Sequence, residues 1–341
     1  METVLVTGAG GYIGSVLVPK LLRQGYRVKA IDRFFFGADT LAEHPNLTLV
    51  REDTRRLTLE FFEGVDAVID LVAISNDPSG ECFVEETYQI NYLSRVNTAK
   101  LAKLAGAKRY ILPSSCSLYG YQEQEVIVDE RSPTNPLTTY AKANEMAERG
   151  VLELADWGYT VIILRQATVY GYSPRMRFDL AVNSMTIEAW ENGIVPLNRD
   201  GRQWRPFIHV QDTSDVMCLM LKADQESVNG EIFNVGSEAN NYQLGRLATE
   251  VASAFPGEVQ IQWVGDADFR SYRVNCDKIS SVLNWSPSRT VTEGVREIYD
   301  ALFTGKIVRN AQTITLKWYQ ELSKWHRIIK DIELHGGILR L

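Results

Sequence analysis

The sequence predicts an α/β fold: a doubly wound parallel sheet with a smaller, interleaved C-terminal lobe. Three observations carry this. Short apolar runs alternate with helix-length amphipathic segments through the first half of the chain. A glycine-rich turn joins the first run to the first helix. After about Gly171 the alternation gives way to shorter elements.

Taken in order, Val4–Val6, Arg27–Ile31, Leu47–Val50, Ala67–Leu71, Arg109–Leu112 and Thr160–Leu164 read as strands apolar enough to be buried on both faces. Between them, Ile13–Gln24, Leu57–Phe62, Tyr88–Ala105 and Tyr140–Asp156 carry helical patterns. Strand and helix in strict alternation imply a parallel sheet covered by helices on both faces. Ligands of such sheets bind outside the carboxyl ends of the strands, where the strand order reverses. Beyond Gly171, the Arg-, Pro- and Gly-rich stretch 172–205 contains one helical pattern, Phe178–Asn192, and Glu231–Val235 reads as a strand returning to the sheet. Residues 1–171 are therefore expected to form a dinucleotide-type domain that 205–235 rejoins, with 172–204 and 236–341 forming the second lobe and the C-terminal helices. In the tail, Trp318, Leu322, Trp325, Ile329 and Ile332 recur at steps of four and three. That spacing gives a helix with one apolar face, to be covered by its own lobe or by another subunit.

Composition narrows the function. With 45% hydrophobic and 23% charged residues, the chain is neither a disordered tail nor a small disulfide scaffold. A net charge of −7 without basic blocks argues against sequence-independent nucleic-acid binding, which works by neutralising phosphates. Cys82, Cys116, Cys218 and Cys276 are scattered, with no C-x-x-C pair and no histidine at metal spacing. They read as reduced thiols of a cytoplasmic protein without a metal site. No run reaches the roughly 18–20 apolar residues of a membrane span, and no targeting segment precedes Val4.

Thr7-Gly-Ala-Gly-Gly-Tyr-Ile-Gly14 follows the first strand and opens the first helix. Gly8 permits a backbone angle closed to other residues, Gly11 lets the backbone approach a pyrophosphate, and Gly14 lets helix and strand pack closely. The helix N-terminus then offers unpaired N–H groups to phosphate. The next strand ends on Asp32, whose carboxylate suits the two ribose hydroxyls of NAD and repels the extra phosphate of NADP; Arg33 beside it is the one feature that would accommodate that phosphate. The turn thus points to a Rossmann-type sheet with NAD as cofactor.

With these residues in view, the chain resembles the extended short-chain dehydrogenase/reductases of the nucleotide-sugar epimerase/dehydratase family, to about residue 300. Thr7–Gly14 is similar to the family's T-G-x-x-G-x-x-G. Ser114-Ser-Cys-Ser-Leu-Tyr-Gly120 is similar to S-S-x-x-x-Y-G, and Trp204–Asp212 to R-x-F-x-H-V-x-D. Ser75–Glu81 (S-N-D-P-S-G-E) and Ser173–Asp179 (S-P-R-M-R-F-D) resemble a bacterial sugar-epimerase-like branch. The resemblance implies cofactor contacts from Gly8, Gly11, Gly14 and the intervening Tyr12 and Ile13, from Asp32 and Arg33, from the adenine-side pair Asp53 and Thr54, and from Leu71 and Ala73 in the loop under the dinucleotide.

It also implies hydride transfer at a sugar carbon, with Tyr140 as base and Ser115 holding the same oxygen. Free tyrosine, with a pKa of about 10, is a poor base at neutral pH. The family lowers this value with a lysine four residues on, one helical turn away. Here that position is Asn144, and Lys142, two residues on, points to the other side of the helix. Three explanations follow: a slower or altered oxidoreductase, an NAD-binding regulatory or scaffold protein that has lost catalysis, or an introduced substitution. The 4,6-dehydratases place Asp and Glu directly after the catalytic hydroxyl residue; Cys116 and Ser117 stand there instead. That disfavours water elimination and leaves C4 epimerisation or oxidation and reduction.

For the diphosphate of a nucleotide sugar, the resemblance points to Arg205, and Arg270 or Arg273 would add a second clamp. Arg175, Arg177 and Asn183 border the opening of the second lobe. Bidentate guanidinium geometry suits such a group. His209 lies in an apolar run and reads as a core residue. The family's habit of pairing two long helices per subunit, here about Tyr88–Ala105 and Tyr140–Asp156, implies a homodimer.

Overall fold

A computed structural model describes residues 1–123, 126–198, 200–265 and 270–334. The apolar runs become β1 (Thr3–Thr7), β2 (Arg27–Asp32), β3 (Leu47–Arg51), β4 (Ala67–Asp70), β5 (Arg109–Ser115), β6 (Thr160–Gln166) and β7 (Glu231–Val235). All pair in parallel, in the order β7-β6-β5-β4-β1-β2-β3. The chain starts in the middle, winds outward through β2 and β3, and crosses to β4. The switch point therefore lies between β1 and β4, with Thr7 opposite Asp70 at its carboxyl end.

Side-chain alternation explains why both faces are covered. Val4 and Val6 point to one hydrophobic cluster, shared with Leu17, Val18 and Leu21 of the Gly14–Arg23 helix. Leu5 points to the other, shared with Ala99, Ala102, Ala147 and Val151. In β6 all seven residues are buried, with Ile162 and Leu164 on the first face and Val161 and Ile163 on the second. A strand enclosed on both faces has no room for the polar alternation of a half-exposed one.

Three helical expectations change in detail. Leu57–Phe62 is too short for an α-helix and forms the second of two 3₁₀ turns, Thr54–Arg56 and Leu59–Phe62, the first capped by the Asp53 side chain. Tyr140–Asp156 is the helix Thr139–Leu152, its N-terminus capped by Thr138. Tyr88–Ala105 is not one regular helix: Val84–Tyr88 runs into a π-helical segment, Gln89–Ser94, and then into Arg95–Leu104. Such a segment shifts the faces that follow it, and here both Asn91 and Arg95 are buried.

Only β7 of the region 205–235 enters the main sheet. Trp204–His209 pairs instead with Thr168–Tyr170 and Asn241–Gln243 in a three-stranded sheet, and Val210–Met220 packs on the Gly14–Arg23 helix. His209 is fully enclosed there, edge-on to Tyr170 and bonded to Glu297. The tail forms the helix Thr315–Ile332. Its first half packs on the loop after β2: Tyr319 meets Phe35, Phe36 and Phe83, and Trp318 donates to the Phe35 carbonyl at 2.6 Å. Its second half leaves Trp325 59% exposed.

β6 and the Thr139–Leu152 helix are tied by a buried ion pair, Arg165 to Glu148 at 2.8 Å, with Arg165 also donating to the Tyr119 hydroxyl. Replacing one member leaves a charge inside without its counterion. Arg165→Met is expected to lower the unfolding free energy by about 3–5 kcal/mol. Chemical denaturation reads this directly, and a loss below about 1 kcal/mol would contradict the assignment.

Candidate active site

The carboxyl ends of β1, β2, β4 and β5 open onto one crevice. At its floor the glycine turn is as tight as its sequence predicts. Gly8 has a φ of +63°, and a Cβ there would stand 2.8 Å from the Val72 nitrogen. A Cβ on Gly14 would stand 2.4 Å from the Ala9 carbonyl oxygen, and one on Gly11 would touch the Gly8 carbonyl oxygen. The Gly14–Arg23 helix has no side-chain cap and no acidic residue in its first turn. Its Ser15 and Val16 N–H groups donate to the Gly11 and Ile13 carbonyls, so an anion would meet the N–H groups of the turn itself and the positive end of the helix.

Asp32 ends β2 with one carboxylate oxygen on the Gly10 N–H and the other on the Phe34 N–H, at 3.0 and 2.7 Å. Burial pushes its pKa up, against those bonds and the Arg175 charge. Arg33 lies over Phe35 and pairs with Asp53, which Arg55 also holds, so the Asp53 carboxyl sits below its usual range. Thr54 is buried and accepts from Ser94 at 2.7 Å. Leu71 and Ala73 flank a strand-end loop pinned on both sides. Thr7 Oγ1 accepts from Val72, and the Asn91 amide both accepts from and donates to the Ile74 backbone. Ile13 packs between two core clusters. The Tyr12 side chain points elsewhere, donating to the Gly171 carbonyl at 2.6 Å and accepting from Asn183.

Across the crevice, Ser115 ends β5 and Tyr140 opens the Thr139–Leu152 helix. Burial pushes the Tyr140 pKa above 10; Arg95, the Ser115 hydroxyl and Arg177 oppose that rise, and Asp77 adds to it. Asn144 is buried, its carbonyl accepting from Arg95 at 2.6 Å and its amide donating to the Tyr140 carbonyl at 2.8 Å. Lys142 is exposed, as its helical phase requires. Cys116 is buried with its thiol on the Arg165 carbonyl, and burial pushes the thiol pKa far up, which suits a core filler.

The two distinctive heptads meet. Arg177 donates to the Ser75 hydroxyl at 3.0 Å and pairs with Asp179 at 2.7 Å, while Asn76 donates to Asp179. The first heptad also holds the start of the tyrosine helix: Asp77 accepts from the Thr138 hydroxyl, and Glu81 from the Thr139 N–H. Gly80 comes so close that a Cβ would stand 3.2 Å from the Cβ of Tyr140. Arg270 pairs with Asp77, and Arg205 donates to the Arg270 carbonyl while lying against Tyr272. Arg175 lies 3.6 Å over the Phe36 ring and donates to Thr315, and burial lowers its pKa to about 10. Asn183 is fully enclosed, its amide bonded to Gly171, Tyr12 and Arg177.

The expected cofactor can be tested against these residues. Its phosphates fit a turn whose glycines admit no Cβ. Ser114 Oγ, Ser117 Oγ and Arg175 Nε are buried polar atoms with no partner in the chain, as a polar ligand's contact groups would be. Among the described residues, no group of three or more His, Cys, Asp or Glu side chains is placed to hold a metal, and no helix is long and apolar enough to cross a membrane.

A model of the NAD dependent epimerase/dehydratase family matches residues 4–236. The chain belongs to this family. Membership makes NAD its cofactor. Family members among curated proteins include UDP-glucuronic acid decarboxylase 6 of Arabidopsis thaliana, 28% identical over 310 residues that cover 86% of each chain. A putative UDP-glucose 4-epimerase of Methanocaldococcus jannaschii is 26% identical over 86% of this chain and 96% of that protein. Among solved structures, MoeE5 in complex with UDP-glucose and NAD superimposes with a TM-score of 0.77 at 26% identity, covering 89% of this chain and 99% of that one.

Several functional contacts escape a reading of the sequence. Asn91 and Arg95 stand four apart on a face that buries Ala99 and Ala102. An arginine on an otherwise apolar helix face is the signal that could have found the second of them. The roles of Asp77 and Glu81 at the tyrosine helix had only the motif to mark them.

Proposed function

We propose that the protein is an NAD-dependent oxidoreductase of nucleotide-diphosphate sugars that removes hydride from C4 of the sugar, with C4 epimerisation or 4-keto reduction as the outcome. The observation that carries this reading is the Tyr140–Ser115 pair facing the dinucleotide crevice, without an Asp–Glu pair after Ser115. When bound, NAD accepts a hydride from a sugar C–H. The chain's own residues do the rest. Ser115 holds the C4 oxygen, and the Tyr140 phenolate takes its proton as the C–H bond breaks. Returning the proton from Tyr140 as hydride comes back to the opposite face of C4 gives the epimer. Arg205 and Arg270, joined through the Arg270 carbonyl, would bind the diphosphate, and Arg177 is braced by Asp179.

The similarity to a UDP-glucuronic acid decarboxylase favours a second outcome of the same first step. A ketone at C4 is β to a carboxylate on C5, so carbon dioxide can leave once C4 is oxidised. The catalytically silent scaffold reading stays as the alternative that turnover decides. A homodimer through the segment 84–104 and the Thr139–Leu152 helix is supported by Leu93 and Leu104, exposed by 55% and 76%.

UDP-glucose and UDP-glucuronic acid carrying deuterium at C4 test the reading. NAD-loaded protein is expected to return the deuterium to C4 of an inverted or re-formed sugar, seen by NMR. Release of carbon dioxide from UDP-glucuronic acid would replace epimerisation by decarboxylation and keep the C4 oxidation. No reaction of either sugar, with NAD bound, would favour the scaffold.

A further inference from the structure

We propose that Arg95 is a positioning residue that supplies the positive charge the tyrosine helix lacks, stabilising the Tyr140 phenolate across Asn144. The proposal rests on the reading above that Tyr140 takes the sugar's hydroxyl proton.

The geometry begins with the π-helical segment Gln89–Ser94, after which Arg95 turns inward and is 2% exposed. A buried guanidinium is costly unless its donors are satisfied. Here Nη1 donates to Asn144 at 2.6 Å and Nε to the Val72 carbonyl at 3.0 Å, both neutral acceptors. The cation is thus bound without being neutralised. Asn144 in turn donates to the Tyr140 carbonyl, so one amide joins the charge to the helix turn that carries the phenol.

The other charges beside the phenol are Arg177, Asp77 and Glu81, the last accepting from the Thr139 N–H and hydroxyl. Arg177 is matched by Asp179, and Asp77 by Arg270. Asp70 is a buried carboxylate that burial pushes upward in pKa and the Arg95 charge holds down, accepting from Thr7 and from Tyr110. It forms no ion pair with Arg95. Arg95 thus has no carboxylate hydrogen-bonded to it, and its charge is the first to oppose the rise that burial imposes on the phenol. A lysine at position 144 would add a second cation against it. An asparagine accepts from the arginine instead, which gives residue 144 a physical reason.

Substitutions at two positions separate charge from contact. Asn144→Asp keeps an acceptor for Arg95 and cancels its charge. Arg95→Met removes the charge and the contact together, and Arg95→Lys restores a cation. The readout is the ionisation of Tyr140 in NAD-loaded protein, taken as the ultraviolet difference titration against Tyr140→Phe. The parent phenol, held above free tyrosine's value by burial, is the reference. Asn144→Asp and Arg95→Met are expected to move it up by about one pH unit or more, and Arg95→Lys to bring most of that back. If Arg95→Met does not fold, Arg95→Gln, which keeps a donor for Asn144 without the charge, takes its place. A Tyr140 ionisation that stays at the parent value when the Arg95 charge is removed overturns the proposal. Turnover of nucleotide sugars is followed on the same samples. A titration shifted as expected with no hydride transfer from any sugar would overturn the oxidoreductase reading and leave the charge assignment standing.

Discussion

Tyr140→Phe is expected to slow hydride transfer from a bound nucleotide sugar by about 10²–10⁴-fold, the range a positioned general base contributes. The physical reason is that a C4 hydroxyl cannot give up its hydride as a neutral alcohol at a useful rate; its proton must leave as the ketone forms. Of the groups in the crevice, the phenol at the start of the Thr139–Leu152 helix is the one that faces a relay hydroxyl, Ser115, and a buried cation. Removing one oxygen atom leaves the residue's backbone and Cβ against Gly80. NAD affinity and stability should therefore hardly change. Single-turnover absorbance of the reduced nicotinamide measures the effect, and a rate within tenfold of the parent would remove Tyr140 from the mechanism. In the parent, the rate should rise with pH until the phenolate is fully formed, because burial raises the folded-state pKa and deprotonation is the limiting condition.

Gly14→Ala is expected to weaken NAD binding by roughly 100-fold, a loss of about 2.7 kcal/mol, and to destabilise the chain as well. Its added methyl would lie 2.4 Å from one backbone carbonyl oxygen and 2.5 Å from another, and neither can swing away as a side chain could. The turn must open, which separates the helix N-terminus from the strand end and moves the N–H groups that receive the pyrophosphate. Gly257→Ala is the control: a Cβ there has nothing within 4 Å. Calorimetric titration with NAD distinguishes the two. Equal affinity for both variants would mean that the cofactor does not lie on this turn.

What the sequence disclosed follows from where each residue's constraint is local. β1 and β6 are legible because strands enclosed on two faces need unbroken apolar runs, as Val4–Val6 and Thr160–Leu164 show. Gly8, Gly14 and Asp32 are legible because their roles are set by backbone geometry within one crossover. Tyr12 is different. Its place between two glycines suggests the cofactor, but its hydroxyl is bonded to Gly171, a contact across the fold that no local pattern encodes. Arg175 is similar: the sequence groups it with the substrate arginines, whereas the structure sets it on Phe36, beneath a C-terminal helix whose docking site the apolar stripe alone does not specify. The largest omission is Arg95. Reading Tyr140 and Asn144 along one helix finds a missing charge; the charge comes from another helix, 45 or more residues earlier in the chain, turned inward by a π-helical segment that has no sequence signature.

The central claim is that one phenol mediates between a nucleotide sugar and the dinucleotide on the glycine turn. A crystal structure of the protein with NAD and a nucleotide sugar tests it most directly. The account predicts the pyrophosphate against Gly8–Gly14, the sugar's C4 over the nicotinamide, and the Tyr140 oxygen within hydrogen-bonding distance of the 4-hydroxyl. A sugar bound with C4 turned away from Tyr140, or a dinucleotide seated elsewhere, would contradict it.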